Sequence, residues 1–127
     1  MVIGVLQFEL LVPGSLSLKD KRRVVKSLKD RLHREHLVSI AEIAVLDHHR
    51  LAVLGLCVVS NSVTYANGVL DAVLAKVKAV HDARLGDVHR EMLTGDDLTG
   101  DGADLWNDQE RRAAMEADRP ECGEHAA

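Results

Sequence analysis

Asp47-His48-His49 is the densest run of titratable side chains in this 127-residue chain, and an acid beside two imidazoles is raw material for a metal site or an acid–base pair. Neighbouring side chains in a turn point in different directions, however, and zinc needs three or four convergent ligands, so the run reads as a polar turn. His33 and His36, three apart, share one face of a helix, but no Cys or third ligand is placed beside them by spacing. Asp97, Thr99, Asp101, Gly102 and Asp108 imitate the spacing of a calcium loop, four at liganding positions and Gly102 at its turn. The final ligand is Asp instead of the longer bidentate Glu, Leu105 occupies a liganding position and no helix precedes the loop, so the imitation reads as coincidence in an Asp/Gly-rich stretch. Cys57 lies in an apolar run and reads as core, and its distance from Cys122 suits neither a disulfide framework nor a metal spacing. Gly-rich phosphate loops and nucleophile elbows are missing. These residues predict neither an enzyme nor a bound cofactor.

The basic residues between 19 and 34 carry a stronger signal. On a helical wheel Lys19, Arg22, Arg23, Lys26, Lys29 and Arg34 form one outward face opposite an apolar stripe, with only Asp30 among them to offset the charge. Lys21 and Arg31 add charge nearer the stripe. Cations spaced along a helix meet successive phosphates and release counterions, giving salt-sensitive binding. The predicted nucleic-acid-binding set is therefore Lys19, Lys21, Arg22, Arg23, Lys26 and Lys29, and the bland alternative is an ordinary solvated helix face. Aromatic side chains are restricted to Phe8, Tyr65 and Trp106, too few to stack bases on a sheet, so structured RNA gripped by its backbone is the expected partner and no reading of DNA sequence is expected.

Those cations need a scaffold, and the hydrophobic periodicity supplies one. Val2 to Val12 alternates, with Val2, Leu6, Phe8 and Leu10 on one side and Ile3, Val5, Gln7, Glu9 and Leu11 on the other, and Pro13-Gly14 ends it. Ser17 and Asp20 resemble a capping box opening a helix at Leu18, with the stripe Leu18, Val24, Val25, Leu28 and Leu32, running to about His36. Leu37 to Val45 and Leu51 to Val59 read as strands joined by the polar turn. Ser60-Asn61-Ser62 caps a second helix with core face Val63, Ala66, Leu70, Val73, Leu74 and Val77, ending near Asp82 or Ala83. Arg84 to Leu93 reads as a charged edge strand. This order predicts an α+β, ferredoxin-like βαββαβ domain over residues 1–93: an antiparallel four-stranded sheet, strands one and three central, two helices on one face.

The uncovered face would be apolar in both central strands, which predicts a cover, most simply a second subunit packed sheet to sheet as a homodimer; the alternative is the chain's own tail. With 46% hydrophobic residues the chain can build one core. No apolar run approaches a bilayer span and no signal-peptide pattern opens the chain, so the expected location is cytoplasmic, away from membranes. Residues 1–93 carry 13 Lys/Arg against 10 Asp/Glu, net +3, whereas residues 94–127 carry 3 against 10, net −7. Residues 94–127 are therefore expected to be an acidic tail without a fold of its own, apart from a short helix near Asp108 to Ala117.

Ser17-Leu18-Lys19-Asp20-Lys21-Arg22, Val38-Ser39-Ile40-Ala41-Glu42, Asp47 and Val58-Val59-Ser60-Asn61, in that order, resemble the YlxP-like family of small bacterial proteins of uncharacterised function. The resemblance covers residues 1–93. It implies a ferredoxin-like fold and, because such genes keep company with translation and ribosome-maturation factors, a place near RNA or the ribosome. The chain departs from the family's pattern in the turn, at Leu46, His49 and Leu51.

Overall fold

Alternation commits the even positions of the first strand to one side, and in the computed structural model, which describes residues 1–99 and 108–117, Leu6, Phe8 and Leu10 are buried there. The elements of the first compact unit, Met1–Thr94, are β1 (Val2–Leu11), α1 (Leu18–His36), β2 (Ser39–Ala44), β3 (Leu51–Ser60), α2 (Val63–Lys78) and β4 (Arg84–Leu93). The sheet runs β2-β3-β1-β4, all neighbours antiparallel, so β1 and β3 are central and the fold is the ferredoxin-like α+β arrangement. Leu6, Phe8 and Leu10 of β1 and Ala52, Leu54, Leu56 and Val58 of β3 pack against Val25, Leu28 and Leu32 of α1 and Ala66, Leu70, Val73 and Val77 of α2. A side chain at Gly4 would place its Cβ 3.1 Å from Val58 and 3.3 Å from Leu70, so glycine there lets α2 approach the sheet closely.

Several elements differ from the sequence reading for identifiable reasons. α2 ends at Lys78, with Ala79 as its cap, and Val63 is exposed because it lies in the first helical turn, beyond the sheet's cover. Leu37 is not strand: it caps α1 in the left-handed region (φ 54°), its N–H donating to the His33 carbonyl, and the chain enters β2 only at Ser39. Cys57 is a free, half-buried thiol on the sheet face opposite the helices, beside Val5 and Ser39, since odd positions of β3 point away from the helices. The weak alternation of β4 comes from a bulge. Phe8 pairs with Val88 and Leu10 with Leu85, leaving Gly86 and Asp87 both opposite Glu9, whose carboxylate accepts the Asp87 N–H at 3.0 Å. A Cβ on Gly86 would stand 2.9 Å from that of Glu9.

The second unit, Gly95–Ala127, contains α3 (Gly95–Thr99) and α4 (Asp108–Ala117), the latter where the sequence allowed a short helix. Residues 100–107 and 118–127 lie outside the described residues, and with them part of the segment read as an unfolded tail and two positions of the calcium-loop imitation, Asp101 and Gly102. No helix among the described residues is long and apolar enough to cross a membrane.

Candidate nucleic-acid interface

Ser17 starts the basic helix. Its hydroxyl accepts the Asp20 N–H at 3.2 Å, and Asp20 reaches back to the Leu16 N–H at 3.0 Å, a variant of the capping box in which the acid serves the residue before the cap. At the far end His33, Arg34 and His36 sit in the last turn, where positive charge complements the helix dipole. Val25, Leu28 and Leu32 turn inward, so the opposite face is presented to solvent.

On that face Lys19, Arg22, Arg23, Lys26 and Arg34 are exposed and Lys29 is half-buried. Lys26 pairs with Asp30 at 2.8 Å and Arg23 with Asp20 at 3.7 Å, both at the surface. The hydrogen bond from Lys26, ahead of the added fields of Lys26, Lys29 and Arg34, holds the Asp30 carboxyl below its ordinary value, and the same contact raises Lys26. Lys19, Arg22, Lys29 and Arg34 have no carboxylate partner among the described residues. Arg22, Lys26 and Lys29 edge an open groove of about 310 Å³ between α1 and the outer strand β2, floored by Val25 and Glu42.

Lys21, placed nearer the stripe but counted in the predicted nucleic-acid-binding set, is buried and turned away from the outward face, which corrects that part of the sequence reading. Its side chain is 0% exposed, and its ammonium donates to Glu42 Oε2 at 2.8 Å and to the carbonyls of Val45, Leu46 and Leu51 at 3.1, 3.2 and 3.3 Å. The position was visible on the wheel: Lys21 stands one turn before Val25 on the line continued by Leu28 and Leu32, the centre of the buried stripe. A Lys at such a point reaches through the core edge to whatever anion lies beyond, here Glu42, whose β2 position faces the helices opposite Leu54. Placing Lys21 nearer the stripe while counting it as a phosphate contact left its internal partner, Glu42, unread.

The acceptors of Lys21 belong to the turn between β2 and β3. Val45 holds φ 51°, rare for a β-branched residue, and its carbonyl also accepts the His48 N–H at 3.0 Å. Arg50 donates its N–H to His48 Nδ1 at 3.1 Å and its Nε–H to the Ser15 carbonyl at 3.3 Å, and its own carbonyl accepts the Val12 N–H at 2.9 Å. The turn is thus fastened to the loop leading into α1. His48 and His49 stack with ring centroids 6.0 Å apart. His33, paired with His36 in the sequence, is engaged otherwise, Nδ1–H donating to the Val38 carbonyl at 2.8 Å. Among the described residues no three His, Cys, Asp or Glu side chains converge as metal ligands.

A ferredoxin-like sheet backed by two helices, the first of them basic, defines the class of the fold. Residues 3–90 match the profile of DUF503, described as a protein of unknown function, and the chain belongs to that family. No curated protein matches the sequence.

Proposed function

We propose that this protein is a non-enzymatic cytoplasmic module that grips the phosphate backbone of structured RNA, ribosomal RNA first among the candidates, through the outward face of α1. One observation carries the reading: Lys19, Arg22, Arg23, Lys26 and Lys29 share one helix face, five of their pairs (19/22, 19/23, 22/26, 23/26 and 26/29) standing three or four residues apart, with Asp20 and Asp30 as the acids of α1 among them. Like charges at that spacing cost a helix roughly 0.2–0.5 kcal/mol per pair, so the cluster works against the stability of its own element. An anionic partner relieves that repulsion. The YlxP-like resemblance of residues 1–93 supports the same reading. Base stacking is a poor fit, because Phe8 is buried beneath the helices and β3 holds no aromatic residue.

Filter binding of the full chain to ribosomal RNA tests the proposal. Five phosphate contacts predict a log–log salt slope of about −4 and an affinity loss of about two orders of magnitude between about 50 and about 200 mM salt. The triple variant Arg22→Glu, Arg23→Glu, Lys26→Glu is expected to abolish binding, and a wild-type protein that fails to bind at low salt refutes the proposal.

The sheet face opposite the helices favours a second reading, a homodimer. Val59 is 62% and Ile43 47% exposed, and Ile3, Val5, Val53 and Cys57 between them are only half-buried in a single chain. A second copy laid on this face would bury them, and the four strands offer about 30 by about 19 Å, close to the smaller specific interfaces. Light scattering is expected to read a dimer that Val5→Asp dissociates; a wild-type monomer removes this reading.

A further inference from the structure

We propose that the turn Val45–Arg50 is a second phosphate-contacting element of the same interface, with Arg50 and His48 as its donors and Lys21 as the residue that positions it; the inference rests on the RNA-backbone reading of α1. Two costly features converge on this turn. A lysine buried completely is spent on holding two of its carbonyls, those of Val45 and Leu46, together with that of Leu51 just after it. Val45 is held at positive φ, where a β-branched side chain is strained. A connection needing only to join two antiparallel strands requires neither.

What the turn presents is suited to an anion. The Arg50 guanidinium is tied only through Nε, to Ser15 two residues ahead of the α1 cap, so both Nη groups are without a partner among the described residues. His48 Nδ1 accepts the Arg50 N–H, which leaves Nε2 to carry the imidazole proton as an outward donor on an exposed side chain. Through Lys21 and Ser15 the turn is fixed to the first turn of α1 and to the loop before it, the end of the helix that carries Lys19, Arg22 and Arg23. A backbone crossing that end would meet helix cations and turn donors in succession. Asp47, exposed in the same turn, is the acid that such a contact must tolerate.

The test is a salt series with ribosomal RNA on the full chain. Arg50→Ala is expected to lower the salt slope by about one, the signature of one lost phosphate contact. His48→Ala is expected to weaken binding two- to five-fold, and Asp47→Asn to strengthen it by a similar factor. The pair Lys21→Met/Glu42→Met, which removes the buried charges together, frees the turn while leaving the outward cations in place; it is expected to lose the Arg50 increment of slope, with Arg50→Ala adding nothing further in that background. A wild type that does not bind overturns both readings. Wild-type binding that depends on Arg22, Arg23 and Lys26 but keeps its affinity and slope in Arg50→Ala overturns this inference alone, and so does a full Arg50 effect in the Lys21→Met/Glu42→Met background.

Discussion

Replacing Lys21 by Met keeps most of the alkyl stem in place and removes the ammonium alone. The Glu42 carboxylate, 13% exposed, then loses its cation, and the carbonyls of Val45, Leu46 and Leu51 lose a shared donor. Removing one partner of a buried ion pair costs about 3–5 kcal/mol. The residual exposure of Glu42 and the ability of surface water to reach a turn place the expected loss near the lower limit, about 3 kcal/mol. In a domain of this size that corresponds to a fall in Tm of roughly 12–24 °C, a large part of a total stability of about 5–15 kcal/mol. Thermal and urea unfolding of Lys21→Met, Glu42→Met and the double variant form the cycle. The double variant is expected to recover much of the loss, because no lone charge remains, with a coupling of about 3 kcal/mol between the two sites. A Lys21→Met loss below about 1 kcal/mol, or additivity within about 0.5 kcal/mol, refutes the picture of a buried pair holding the turn.

Arg22→Glu alone is expected to leave stability unchanged or raise it by a few tenths of a kcal/mol, as like-charge repulsion is relieved, while lowering RNA affinity; urea midpoints beside filter binding check both. Gly86→Ala drives a methyl against Glu9 in the β4 bulge and is expected to cost about 1–3 kcal/mol by chemical denaturation. In Lys26→Ala the Asp30 carboxyl is expected to titrate closer to its ordinary value, read by NMR. The sign follows from the lowered folded-state value: this contact favours the fold at pH values above the ordinary carboxylate range and ceases to do so as pH falls through the folded value.

The inward faces of β1 and β3 could be read from Val2–Leu11 and Leu51–Ser60 because a two-residue period leaves one choice, and their central place followed from right-handed crossovers in a β-α-β-β-α-β order. Ser17 and Ser62 marked both helix starts because their hydroxyls accept the N–H three residues on, leaving a local chemical trace. Bulges leave no comparable trace: Gly86-Asp87 shifts the period near the start of β4, which explains why its alternation read as weak. The outward cations of α1 were legible from the wheel. Lys21 was set near the stripe yet assigned to phosphate because residue type outweighed position, whereas a long stem lets an ammonium start in the stripe and end on Glu42. The tether of Arg50 was hidden for a different reason, since its bond to Ser15 joins residues distant in sequence.

The place of β1 governs how this domain must assemble. Its two hydrogen-bonding edges are completed by β3, whose residues lie some fifty positions later, and by β4, which ends at Leu93. During synthesis the first strand made is therefore among the last to be enclosed, and Leu6, Phe8 and Leu10 stay without their full cover until β4 has emerged. Long loops must close before these contacts reward the chain, which slows folding and leaves a naked apolar ribbon open to other nascent chains. Chains halted before Arg84 should accumulate as aggregates, whereas those reaching Leu93 should fold.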